Sequence, residues 1–362
     1  MKKIVALLLA LIMVFALVAC GNSNTPSTPN TPSNPSTPGS EAPSTSGKDY
    51  GPYSAEKPLE LKLSHFVGND KNQLAQLAIV FEQKVEALTG GAVDVVIYGG
   101  GVLGNDRVSL ESVIAGSLDM AVNNTPIISN YYEAFQVLDL PYLFSDYDHI
   151  YAFLESDACK TLMDGMAEAT GARLLCMQAV GFRNMDMCDG PVRTPADIAG
   201  DLIRVTDSPI YMAQYKAWGA NPTIIAGPEV LTALQQGTID GCDNVNNVQY
   251  ADRYYEFAKY ISITEHAVHF NGLTINEKLF QSLPEDLRND ILAAAQDTAV
   301  TRTKALETEN EEQLWLSADA GAIVIEDVDK QSFIDAAKPV YDDFIANHSA
   351  GSLVELIQAL KK

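Results

Sequence analysis

Two arginines carry the clearest chemistry in this sequence. Arg183 follows the apolar run Val180-Gly181-Phe182, and Arg204 lies inside Leu202-Ile203-Arg204-Val205, in a chain with only eight arginines. A guanidinium set among apolar neighbours must find anionic partners, because an unpaired buried charge is very costly. Two kinds of partner are open for each arginine. One is an internal salt bridge with any of the 47 Asp and Glu residues. The other is a ligand carboxylate, which the planar fork of Arg grips bidentately and Lys does not.

Other chemistries lack their residues. No GxSxG elbow, P-loop, GxGxxG after a strand or HExxH occurs, nor any CxxC pair or Cys/His cluster of zinc spacing. No cofactor, metal site or catalytic residue is therefore expected. His266 and His269 are three apart on an extended segment, which would put them on opposite faces and suits hydrogen bonding rather than a metal. Gly99-Gly100-Gly101 follows a strand, but no Lys-Ser/Thr comes after it, so it reads as a turn. The spacing of the five cysteines does not decide whether Cys176 and Cys188 pair, and free thiols are the expectation.

The elements that must position these residues read as an α/β protein from Leu59 onward, with short strand-like runs alternating with helical patterns. Strands are expected at Leu59–Leu63, Val93–Tyr98, Leu118–Val122 and Leu174–Val180. In the second set they fall at Leu202–Val205, Pro222–Ile225, Ile239–Asp240 and Phe270–Ile275. Helices are expected over Leu74–Leu88, Ser109–Ala115, His149–Ala169, Ile210–Trp218 and Glu229–Gln236. No Gly or Pro interrupts the chain from Glu285 to about Ala318, which predicts one helix of unusual length.

The N-terminal region has a different character. Met1–Ala19 has Lys2 and Lys3 followed by an uncharged apolar run, the pattern of an export signal rather than a membrane span. Its end, Leu17-Val18-Ala19-Cys20, resembles the lipobox of bacterial lipoproteins and makes Cys20 the expected lipidation site. Residues 20–58 are rich in Ser, Thr and Pro, with prolines every third position from Pro26 to Pro38, and read as an extended tether. The expected place is outside the cytoplasm, lipid-anchored on the outer face of the cytoplasmic membrane. A formal net charge of −23 excludes a nucleic-acid partner, since phosphate neutralisation needs a basic surface.

An ordered set of short pieces resembles the solute-binding subunits of tripartite ATP-independent periplasmic (TRAP) transporters. The pieces include Leu103-Gly104-Asn105-Asp106-Arg107, Gly181-Phe182-Arg183, Ile203-Arg204-Val205, Trp218-Gly219-Ala220-Asn221-Pro222 and Leu234-Gln235-Gln236-Gly237-Thr238-Ile239-Asp240-Gly241, followed by Asp243-Asn244. The resemblance implies a two-lobed periplasmic-binding-protein-like fold with hinge strands and a long helix across both lobes. Lobe I would comprise residues 59–180 and 270–309, and lobe II residues 181–269 and 310–362. It also implies a small organic anion in the cleft and TRAP permease subunits as membrane partners.

By that resemblance Arg204 grips the ligand carboxylate, Arg183 lies near it, and Asp243 and Asn244 belong to the polar wall. Asn123 and Asn124 face the ligand from the first lobe, and His65 and Phe66 are further candidates. Many relatives place an aromatic between the positions of Ala226 and Pro228, where this chain has Gly227, so the pocket is expected to be wider or differently filled. Two other classes remain open at this point. A ligand sensor for a membrane receptor would share the fold and the site, and an exported hydrolase would need positioned acids or a nucleophile.

Overall fold

The computed structural model describes residues 47–361. The expected signal peptide, Cys20 and the proline-spaced part of the tether lie outside the described residues. The end of the expected tether is packed rather than loose. Lys48 pairs with Asp290 at 2.7 Å, the Tyr50 hydroxyl donates to the same carboxylate at 2.5 Å, and Asp49 N donates to Asp286 at 2.7 Å. These polar ties to a distant helix carry no local sequence signal, so the folded part begins before Leu59.

Nine strands form one sheet among the described residues: β1 (Leu59–Ser64), β2 (Val93–Tyr98), β3 (Met120–Asn124), β4 (Ala172–Met187), β5 (Leu202–Val205), β6 (Asn221–Ile224), β7 (Gly241–Val245), β8 (Tyr260–Asn276) and β9 (Ile323–Ile325). The helices are α1 (Gln73–Leu88), α2 (Asp106–Ala115), α3 (Thr125–Ile128), α4 (Tyr147–Leu154), α5 (Asp157–Thr170) and α6 (Pro209–Ala217). They continue with α7 (Val230–Gln235), α8 (Asn246–Ala251), α9 (Glu277–Ser282), α10 (Glu285–Asp319), α11 (Lys330–Asn347) and α12 (Gly351–Gln358).

The strand order is β2-β1-β3-β8-β4-β7-β5-β6, with β9 paired to the start of β8. Parallel strands make each flank: β1 pairs with β2 and β3 on one side, and β5 pairs with β6 and β7 on the other. The long antiparallel pair β4 and β8 joins the flanks, β8 continuing to β3 and β4 to β7. Separate apolar cores back the two flanks. Leu61, Leu63, Phe81, Val85 and Ile291 belong to one, and Ile203, Val205, Tyr215, Trp218 and Phe333 to the other.

Several expectations change, among them the strand expected at Ile239–Asp240, since β7 begins only at Gly241. The strand expected to end at Val180 runs to Met187, and the one expected from Phe270 begins at Tyr260. Polar residues such as Asn184, Asp186, Thr264 and His266 break the apolar pattern, yet they are buried in the finished sheet. The helix expected over His149–Ala169 is two helices, because Ser156 caps α5 by accepting a hydrogen bond from Cys159 N at 3.2 Å. Finally, α11 and α12 fold where no element was expected.

The long helix is as expected. α10 has 35 residues, about 52 Å at 1.5 Å per residue. It packs against α1, β4 and α8, so it crosses from one flank of the sheet to the other. Asn310 fixes it to the middle of the sheet, donating to Val180 O at 2.6 Å and accepting from Asn247 N at 3.0 Å. Gly181 permits this approach: its φ is 144°, and a Cβ there would stand 2.7 Å from Asn310 Nδ2.

Candidate functional site

The C-terminal ends of both parallel flanks point at one cleft, of about 550 Å³. Ligands of open α/β sheets bind outside the carboxyl ends of the strands for this geometric reason: the turns there leave backbone and polar side chains free to face them. Phe66 follows β1, Asn124 ends β3, Arg204 lies on β5, Gly227 follows β6 and Asn244 lies on β7. All line the cleft, as does Arg183 from β4.

The two arginines resolve differently. Arg183, 1% exposed, donates Nε to Asp243 Oδ2 at 2.6 Å and Nη2 to Asp243 O at 2.7 Å. Tyr211 stacks its ring 5.5 Å from this guanidinium. Burial alone would raise the Asp243 carboxyl, but the Arg183 charge and a 3.0 Å hydrogen bond from His266 Nε2 together hold it far below the usual range. Arg183 has thus taken the internal salt bridge. Arg204, 4% exposed, donates Nε to Ile225 O at 2.9 Å and has no carboxylate partner among the described residues. Burial, with Arg183 adding to it, pulls its pKa down.

Histidine links the flanks. His269 Nδ1 accepts from Arg183 Nη1 at 3.1 Å, so its Nε2–H donates to Asn124 Oδ1 at 2.8 Å. That arrangement needs a neutral ring, and burial followed by the Arg183 charge lowers the His269 pKa to about 3. His266 also reaches Asp243, so both histidines serve one ion pair rather than opposite faces. The cause is an irregularity in β8, where Glu265 has φ 46° and the register with β4 shifts.

Asn124 is committed at both ends, since its Nδ2 also donates to Asp106 Oδ2 at 2.6 Å. Asn244 keeps a free donor: its Oδ1 accepts from Val245 N, and its Nδ2 makes no hydrogen bond among the described residues. Three expected residues stand behind the wall instead of in it. Asn123 is fully buried and bonded to Asp106 and Thr274. Asp243 lies beneath Arg183. His65 packs on the glycine turn, where a Cβ on Gly99 would lie 2.7 Å from its ring. The amides of Gly100 and Gly101 donate to Val67 O and His65 O, so that segment is a turn bound to the loop after β1.

Gly227 is filled from the opposite flank. A Cβ at that position would stand 3.4 Å from the Phe66 ring, so the aromatic of β1 occupies the space above the glycine. Sequence reasoning missed Asp106, Arg107, Asp207 and Asp252, all of which line the cleft. Asp106 and Arg107 stood in a quoted family piece and could have been singled out there. An ion pair between Arg107 and Asp207 joins the flanks at the cleft, and Asn130 Nδ2 donates to Asp207 O at 3.0 Å. Cys159, Cys176, Cys188 and Cys242 are free thiols.

The profile of the bacterial extracellular solute-binding proteins of family 7 matches residues 63–348. The chain belongs to that family. A solute-binding protein of Verminephrobacter eiseniae is 31% identical over 280 residues, 77% of this chain and 83% of the relative. The structure of a TRAP periplasmic solute-binding protein from a Polaromonas species, bound to D-erythronate, superposes with a TM-score of 0.79 at 28% identity and covers 84% of this chain and 99% of its own. A TRAP solute-binding protein from Shewanella oneidensis with bound succinate gives 0.79 at 26% identity, covering 84% and 100%. This TRAP solute-binding protein therefore has the two-lobed fold of its relatives. Among its described residues no helix is long and apolar enough to cross a membrane.

Proposed function

We propose that this TRAP solute-binding protein captures an organic acid by clamping one carboxylate on Arg204, then closes its lobes and presents the ligand to the membrane permease. The observation that carries the reading is the Arg204 guanidinium, buried in the cleft wall without a carboxylate of its own. A ligand carboxylate supplies the missing charge, and exclusion of water on closure strengthens the attraction as the effective dielectric falls. Asn244 Nδ2 adds a donor from β7. Arg183 positions the wall through Asp243 and His269.

Closure needs contacts from both lobes, since a ligand shifts an equilibrium only by its differential affinity for the two states. The Arg107 pair with Asp207 and the Asn124 bond to His269 are suited to hold the closed form. The lobes of this reading are residues 59–180 with 270–309, and 181–269 with 310–362. Lipidation of Cys20, followed by the Pro-rich tether, keeps the domain beside its permease. Titration calorimetry of the wild type and Arg204→Ala against a panel of organic acids tests the clamp, and equal affinities would falsify it. Metabolic labelling with a palmitate probe tests the anchor, with Cys20→Ala expected to lose both label and membrane fraction.

A further inference from the structure

The charges of the cleft do not suit every organic acid. Four arginines and three aspartates line it. Arg107 pairs with Asp207, Arg183 with Asp243 behind the wall, and Arg253 with Glu256. Arg204 is then the one cleft cation without a carboxylate among the described residues. On the other side of the balance, Asp106 and Asp252 are cleft acids without an ion pair there.

The two acids are held in different ways. Asp106 accepts only amide donors: Asn123 Nδ2 at 2.8 Å, Asn124 Nδ2 at 2.6 Å and Asn124 N at 3.2 Å. The side chain of Asp252 makes no hydrogen bond among the described residues, although it stands in the cleft wall at the end of α8. Burial pushes both carboxyls up to about 6, so both are largely ionised at pH 7.5.

We propose that the ligand is a hydroxylated monocarboxylate: its carboxylate meets Arg204, its hydroxyls donate to Asp106 and Asp252, and the same aspartates exclude a dicarboxylate of equal length. A hydroxyl is a donor that an acceptor-only carboxylate can receive: Asp106 already accepts three amide hydrogen bonds and keeps room for one more, while the half-buried Asp252 has its acceptor capacity open. A second carboxylate offers only acceptors. It would enter a space roughly 10 Å across where every cation but Arg204 already has a carboxylate and where two like charges stand in the wall. This inference rests on Arg204 as the carboxylate anchor and adds the class of the rest of the ligand.

The test compares matched acids that differ only in one terminal group, CH₂OH against carboxylate: D-erythronate with meso-tartrate, and D-gluconate with D-glucarate. Calorimetry at pH 7.5 on the wild-type protein, freed of co-purified ligand, gives the ratio within each pair. The monocarboxylate is expected to bind at least about tenfold tighter in the pair whose length fits, and Asp252→Asn to narrow that ratio about threefold or more. If the dicarboxylate binds equally or better while Arg204→Ala weakens both, the anchor stands and this inference falls. If no acid of three to nine carbons binds at all, the anchor falls and takes the inference with it.

Discussion

Arg183 and Arg204 stand on strands separated only by β7, both almost fully buried, and they differ in one respect. Arg183 has Asp243 beneath it, with His266 and His269 completing the shell. Arg204 has one backbone carbonyl. Burial is much the same for both, so burial does not separate a structural guanidinium from one proposed to meet a ligand. The partner does. A charge satisfied within the protein builds the wall, and the charge left without a counter-ion is the one proposed to meet the ligand.

The comparison breaks most directly at the two arginines. Arg204→Ala is expected to weaken binding of the preferred acid by about a hundredfold or more, since a charge-assisted bidentate contact is lost. Its unfolding midpoint should stay level or rise, because an uncompensated buried charge has gone. Arg183→Ala should do the reverse first: it strands the Asp243 carboxylate and is expected to lower stability by about 3–5 kcal/mol in denaturant melts. Equal stability losses in the two variants would remove the distinction drawn between them. Adding Asp243→Asn to Arg183→Ala should restore part of the loss, which a double-mutant cycle measures.

A titration sharpens the same point. Asp139 is buried, accepts from the Ser208 hydroxyl at 2.7 Å, and has its carboxyl pushed by burial up to about 7 from an ordinary 3.8. Arg183 lowers it only in part, since that guanidinium is already committed to Asp243. Between those two values the folded protein holds a proton that the unfolded chain has lost. The stability gained is complete below the unfolded value and is lost as pH rises through about 7. Asp139→Asn should flatten that fall between about pH 4 and 7; an unchanged slope would show that other groups govern it.

The smallest effect concerns packing beside the unpaired arginine. Gly227→Ala puts a methyl group 3.4 Å from the Phe66 ring. At that distance the methyl makes ordinary van der Waals contact with the ring, so affinity should change by no more than about fivefold, ~1 kcal/mol. Stability should barely move, because Gly227 is itself only half-buried and belongs to none of the apolar cores. A stability loss as large as that of Arg183→Ala would mean that Phe66 and Gly227 hold the fold rather than shape the site.

Much of this was readable in advance where local pattern sufficed. β1, α1, β2 and β5 have the apolar patterns of their types, α10 shows as a long stretch without Gly or Pro, and the scarcity of arginine drew attention to both key side chains. The extended β4 and β8 were not readable. The parts missed, 181–187 and 260–269, carry polar residues, and Asn184, Thr264 and His266 become acceptable interior residues only when Asn246, Asp243 and the backbone of Glu265 arrive from elsewhere. His65 and Asn123 have the right types for a site and sit one position from residues that line it. In a strand or the turn after it, one residue changes which side a chain faces, and the register that decides this is a property of the assembled sheet.

Sequence by itself determined the alternating α/β plan, the family, the long helix and the two arginines worth weighing. It left each arginine with two open fates. The tertiary structure settled the fate of Arg183 by setting Asp243 under it, left Arg204 without a salt-bridge partner among the described residues, and alone brought Asp106 and Asp252 to the same cleft. The physical reason is that charge pairing acts over a few ångströms in space. Asp243 is 60 residues from Arg183 along the chain, and no local pattern records that proximity.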